Sequence, residues 1–355
     1  MGGHFSSLLA SDAALGERVP VTVLTGFLGS GKTTLLNRLL RLPDLHGTAV
    51  IVNEFGAVGI DHDLIAQTTE DTILLANGCM CCAVRSDLVE ALNRIAERTG
   101  PPLRQVLIET SGLVDPGPIL RTLMADPGIR SRFELAGVAC TVDAVLGMGT
   151  LDRHPESVRQ VAVADRLLLT KTDLLEDAAL LSPLVERLRE INGLAQLHAD
   201  RESQPQVLRD HIQARKSTHV APTDALFYRA QYTAGDMATD STPQHRDGIS
   251  TFVLVRDMPL PRDAFAAWLD MVIAMRGEDL LRVKGLVHQA EDPDRPLVIH
   301  GVQHLFHPPE LLPAWPSTDR RTRIVFITRG VDAQALGETL DVLVRRHLRR
   351  SPSTL

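Results

Sequence analysis

Gly26-Phe27-Leu28-Gly29-Ser30-Gly31-Lys32-Thr33 fits the pattern G-x-x-x-x-G-K-[ST]. It lies between a β-branched apolar run at 21–25 and a stretch with Leu35, Leu36, Leu39 and Leu40 on one helical stripe, ended by Pro43. Strand, glycine-rich loop and helix in that order predict a loop whose N–H groups and helix N-terminus face phosphate oxygens. Gly26, Gly29 and Gly31 let the backbone curl close to that charge, with Ser30 and Thr34 beside it. Lys32 is expected to reach the β- and γ-phosphates, and Thr33 to place its hydroxyl on Mg²⁺. These residues predict a nucleoside triphosphatase fold.

Working outward, short β-branched runs alternate with amphipathic stretches from residue 20 to about 200. Strands are expected at 21–25, 48–53, 72–75, 105–109, 135–142 and 166–170. Several are apolar throughout, as suits parallel strands covered on both faces. The spacing therefore predicts an α/β P-loop domain over 19–200, after a flexible N-terminus at 1–18. A polar linker over 201–247 then leads into a smaller α+β domain at 248–347. In that domain 249–255, 296–306 and 323–328 read as strands, and 262–276 and 332–349 as helices.

A triphosphatase needs a carboxylate near the metal at the end of another strand. Glu109, followed by Thr110-Ser111-Gly112, fits, as a catalytic and Mg²⁺-binding partner of Lys32 and Thr33. Gly112 could bring its N–H to the γ-phosphate, making that segment responsive to nucleotide state. Thr170-Lys171-Thr172-Asp173 is close to N-K-x-D. An Asp at the fourth position accepts from the guanine N1–H and exocyclic amine, a pair adenine does not present, while Lys171 lays its stem along the base and ribose. Thr170 in place of Asn removes an amide that would support the loop and approach the base edge.

Three of the four cysteines, Cys79, Cys81 and Cys82, fall within Gly78-Cys79-Met80-Cys81-Cys82. Clustered thiolates favour Zn²⁺ or another soft or borderline ion, and three ligands leave a position open for exchange. Small buried hydrophobes or redox-active thiols are the alternatives. Cys140, in an apolar run, reads as core. Glu54 and Asp61 follow the second strand and are candidate switch carboxylates or further metal ligands, with a solvated turn as the alternative. The 13 histidines form no H-x-H or H-E-x-x-H set.

With a net charge of −7 the chain carries no basic footprint for nucleic acid or anionic membranes. No apolar run is long enough to span a bilayer, so the chain reads as cytoplasmic.

In the order phosphate loop, Asn53-Glu54-Phe55-Gly56, Cys79-Met80-Cys81-Cys82, Glu109-Thr110-Ser111-Gly112 and Thr170-Lys171-Thr172-Asp173, the chain resembles the CobW-like metallochaperone GTPases, related to UreG and HypB. The resemblance extends over residues 20 to 345, taking in Arg282-Val283-Lys284-Gly285 and Arg323-Ile324-Val325-Phe326-Ile327. It implies slow hydrolysis of GTP to GDP, coupled to capture of zinc or cobalt by Cys79, Cys81 and Cys82 and delivery to a metalloprotein client. A homodimer is a further partner expectation. A nucleotide-gated zinc sensor acting by partner binding, or a small-molecule kinase built on the same loop, are the alternatives. The histidine-rich tract of many relatives is missing, which argues against bulk metal storage.

Overall fold

Val106, Leu107 and Ile108, like Leu167, Leu168 and Leu169, are apolar at successive positions, so both faces of the strands they form must be covered. A computed structural model of the protein describes residues 4–10, 18–42, 45, 47–52, 72–74, 83–98, 102–213 and 248–350. The chain divides into two units, one of residues 15–219 and one joining 1–14 to 220–355.

A short helix, α1 (His4–Ala10), belongs to the second unit. The first unit begins with β1 (Val19–Gly26), α2 (Lys32–Leu40), β2 (Thr48–Val52), β3 (Thr72–Leu74), α3 (Ala83–Glu97) and β4 (Gln105–Glu109). It continues through α4 (Gly117–Ala125), α5 (Pro127–Arg130), β5 (Phe133–Asp143), α6 (Gly147–Arg153), α7 (Pro155–Val163) and β6 (Arg166–Thr170). It closes with α8 (Ser182–Ile191), β7 (Gln196–His198) and α9 (Gln204–Gln213). The seven strands form one parallel sheet in the order β3-β2-β4-β1-β5-β6-β7.

Adjacent strands β1 and β4 part company at their carboxyl ends: the chain leaves β1 toward β2, but leaves β4 toward β5 on the other side. Such a reversal opens a crevice where α/β sheets bind ligands. Leu24 pairs in register with Glu109, so the phosphate loop and Glu109 leave the sheet side by side.

The polar linker expected from 201 starts too early. Residues 204–213 form α9, because Leu208 and Ile212, one turn apart, join Leu24, Leu36, Leu39, Val50, Leu107 and Leu168 in one core cluster. Two of its polar residues, Gln204 and His211, are buried along with these leucine and isoleucine side chains.

In the second unit β8 (Ile249–Arg256), α10 (Arg262–Arg276), β9 (Leu280–Val287), β10 (Leu297–Val302), β11 (Leu305–Phe306), β12 (Glu310–Leu311), β13 (Thr322–Arg329) and α11 (Ala333–Arg350) build an antiparallel sheet. Its strand order is β11-β10-β9-β13-β8, with β12 on β10. Strand β9 lies at the centre of that order. It was not expected from the pattern, since Arg282, Lys284 and Gly285 interrupt its apolar run. Nor are the opening residues a bare flexible tail. Phe5 is fully buried against Phe265 and Phe306, and Asp270 of α10 accepts the Phe5 N–H at 2.6 Å. That carboxylate satisfies a first-turn N–H of α1, which a seven-residue helix could not leave unpaired against a core.

No helix among the described residues is long and apolar enough to cross a membrane.

Candidate functional site: a glycine-rich loop braced by neighbouring strand ends

The loop begins where β1 ends. Gly26 has φ 140°, and a Cβ there would lie 2.3 Å from Thr141 Oγ1 and 2.5 Å from the Thr141 carbonyl, so only glycine lets the chain pass. Past Gly29 and Gly31 the backbone enters α2, whose N-terminus has no side-chain cap, leaving its first N–H groups for an anion. Lys32 is buried and folds back over the loop, its Nζ donating to the Gly26 carbonyl at 3.0 Å and the Phe27 carbonyl at 3.2 Å. The Thr33 hydroxyl donates to Glu109 Oε1 at 2.7 Å, uniting residues 76 positions apart. Glu109 is buried too, while Thr34 is exposed in the first turn of α2.

Gly112 packs directly on the loop: a Cβ there would come within 2.4 Å of the Leu28 nitrogen. The amide of Gln160, fully buried on α7, donates to the carbonyls of Gly112 (3.2 Å) and Val114 (3.1 Å). Gln160 also borders a pocket of about 270 Å³ beside the loop, with Phe27, Val142, Leu146 and Leu151 among its walls. A buried amide in Val158–Val163 was the sequence signal for it, unread because one glutamine looks like any polar helix residue. Cys140 faces the same pocket, and burial pushes its thiol up to about 12 against a weaker pull from Lys32. The thiol is neutral there, as a core residue.

At the other edge, the expectation that Thr170 leaves the loop unsupported is corrected. Its hydroxyl donates to the Ser30 carbonyl at 2.7 Å and also lies 3.3 Å from that of Val142, a hydroxyl on β6 doing the bracing for which an amide was expected. The Ser30 and Thr141 hydroxyls, 2.7 Å apart, make a second tie. Lys171 takes the left-handed conformation, φ 58°, and its Nζ donates to Asp143 Oδ2 at 2.6 Å. Burial opposes ionisation of Asp143. The Lys171 hydrogen bond, and those from the Leu146 and Val145 N–H groups, outweigh it and hold the carboxyl below its ordinary range. Asp173 receives a 2.6 Å hydrogen bond from Arg201 Nη1. Thr141, Asp143, Gln160 and Arg201 were not read from the sequence. Like Gln160, Asp143 had a local signal, a carboxylate closing an apolar strand as Glu109 does.

Cys79, Cys81, Cys82, Glu54 and Asp61 lie outside the described residues. Among the described residues no group of three or more His, Cys, Asp or Glu is placed to hold a metal.

Residues 20–199 match the family described as CobW/HypB/UreG, nucleotide-binding domain, and residues 249–344 match the cobalamin synthesis protein CobW C-terminal domain. The zinc chaperone YjiA of Escherichia coli is 31% identical over 297 residues, covering 81% of this chain and 87% of its own length. The zinc chaperone CobW of Pseudomonas aeruginosa is also 31% identical, with 91% of each chain covered. The crystal structure of zinc-bound YjiA GTPase from E. coli superposes with a TM-score of 0.61 at 25% identity, over 92% of this chain and 99% of that one. With both domains matched in order and relatives aligned along most of its length, this chain belongs to the CobW/HypB/UreG family of nucleotide-binding proteins and carries the CobW C-terminal domain.

Proposed function

We propose that the protein is a GTP-hydrolysing metallochaperone that binds zinc through Cys79, Cys81 and Cys82 and hands it to a metalloprotein client according to nucleotide state. The observation that carries the hydrolytic half is the Thr33–Glu109 contact at the mouth of a loop closed by Lys32. A hydroxyl and a carboxylate meeting at 2.7 Å are a hard, oxygen-only donor pair, which fits Mg²⁺. When bound, that ion supplies charge neutralisation at the phosphates. Lys32 exchanges the Gly26 and Phe27 carbonyls for β- and γ-phosphate oxygens and stays on the transferring group, where preorganised charge acts most strongly. The loop N–H groups and the N-terminus of α2 orient the phosphates, and Gly112, backed by Gln160, presents its N–H toward the γ-position. Asp173 reads guanine and Lys171 flanks the base.

The metal half rests on the cysteines and is favoured by the zinc chaperones among the relatives over the cobalt alternative. The segment carrying Cys79, Cys81 and Cys82 falls between β3 and α3, and β3 is parallel to β2 and β4. The chain therefore leaves β3 at the sheet edge from which the phosphate loop and Glu109 also emerge.

A chelator competition titration with Zn²⁺ tests the coupling, run with Mg²⁺ and a non-hydrolysable GTP analogue, GDP or no nucleotide, beside Cys81→Ser. The expected result is cysteine-dependent binding that differs at least tenfold, about 1.4 kcal/mol, between nucleotide states. Equal zinc affinity in all three states overturns the gating.

A further inference from the structure

We infer that Arg201 is the positioning residue for the base-reading carboxylate, and so a determinant of guanine selectivity; this rests on the reading of Asp173 given above. Asp173 sits in a 3₁₀ turn, Thr172–Leu174, with its side chain 45% exposed. A carboxylate on two free torsions loses that freedom when it grips a base, which weakens binding. Arg201 Nη1 already holds Asp173 Oδ2 at 2.6 Å. Each carboxylate oxygen has two acceptor sites, so Oδ2 can keep the arginine while the two oxygens together accept the guanine N1–H and amine.

The backbone that carries the arginine is itself held. Asp200 Oδ1 accepts the Glu202 N–H at 3.1 Å and the Ser203 hydroxyl donates to the Asp200 carbonyl at 3.1 Å, which fixes the turn that carries Arg201. Two further bonds latch that turn to the base-reading loop. The Thr172 hydroxyl donates to the Ala199 carbonyl at 3.3 Å, and the buried Gln204 amide donates to the Leu169 carbonyl at 2.6 Å. Arg201 and Asp173 each keep 45% of their side-chain surface in solvent, and such a pair adds little to stability. Its consequence therefore falls on the ligand: an ordered acceptor separates guanine from hypoxanthine, which lacks the exocyclic amine, better than a swinging one.

The test is calorimetric binding of GDP and IDP, with Mg²⁺, to the full-length protein and its Arg201→Ala, Arg201→Lys and Asp173→Asn variants. Arg201→Ala is expected to cut the GDP-over-IDP preference by about tenfold with an unchanged melting temperature, and Arg201→Lys to restore part of it. An Arg201→Ala protein that keeps the wild-type ratio, weakens both ligands equally, or binds GDP more tightly overturns the inference while leaving Asp173 as the reader. If Asp173→Asn also keeps the wild-type ratio, the guanine reading itself falls, and the role of Arg201 with it.

Discussion

At the phosphate end of the site Ser30, Lys32 and Glu109 keep no more than 7% of their surface in solvent, whereas at the end proposed to read the base Asp173 and Arg201 keep 45% of their side chains exposed. The phosphate end is cross-braced by residues from three other strands: Glu109 on β4, Thr141 on β5 and Thr170 on β6 all bond to the loop or its helix. At the base end the turns are latched by backbone-directed bonds, but each functional side chain is held in an ion pair, Lys171 with Asp143 and Arg201 with Asp173. The contrast teaches that chemistry and fold are joined at one end and separable at the other. A buried hydrogen bond lost at the loop disturbs both, while a solvated pair lost at the rim should alter which base is chosen and little else.

The sharpest way to break this contrast is Lys32→Ala. It removes the cation that folds over the loop carbonyls, and GTP hydrolysis should fall about 100- to 1,000-fold, read as single-turnover phosphate release. A loss below tenfold would place the phosphate charge stabilisation elsewhere. Thr170→Val tests the bracing. It keeps the shape but leaves the Ser30 carbonyl without its donor, and should destabilise the nucleotide-free protein by about 1–3 kcal/mol in urea denaturation. Arg201→Ala should stay within about 0.5 kcal/mol in the same assay, so equal costs would erase the distinction between the two ends. Gln160→Leu strips the shared donor from the Gly112 and Val114 carbonyls, at a cost of about 1 kcal/mol, and should slow hydrolysis more than it weakens GDP binding.

The smallest effect belongs to Cys140. With its thiol pushed up to about 12 by burial, iodoacetamide at pH 8 should leave it unlabelled in the native protein, as read by peptide mass spectrometry. The raised folded value means the folded state holds its proton longer. This contribution to stability is complete below the unfolded value of 9.0 and is lost as pH climbs from there through about 12. Cys140→Ala should flatten that part of the pH–stability curve.

Much of the site was legible because its chemistry is local. From Gly26 to Thr33 the spacing that wraps phosphate is set by neighbouring residues, and the α/β pattern followed from apolar runs too long for one-sided strands. Glu109 was found by its place at a strand end. The misses share a cause. Helix α9 was hidden because its buried positions, Leu208 and Ile212, are diluted among polar residues, and β9 because charged residues and a glycine break its run. Helix α1 gains its stability from Phe265, Phe306 and Asp270, more than 250 residues away, which no window of sequence contains.

By itself, the sequence determined the glycine-rich loop, the carboxylate that closes β4 and the class of sheet, since each depends on residue types at short, fixed spacing. Only the tertiary structure decided that Thr170 braces Ser30, that Gln160 backs Gly112 and that Arg201 holds Asp173. Those contacts join residues 28 to 140 positions apart. A hydrogen bond needs atoms within about 3 Å along defined directions, and only the packed sheet brings such distant residues to that range.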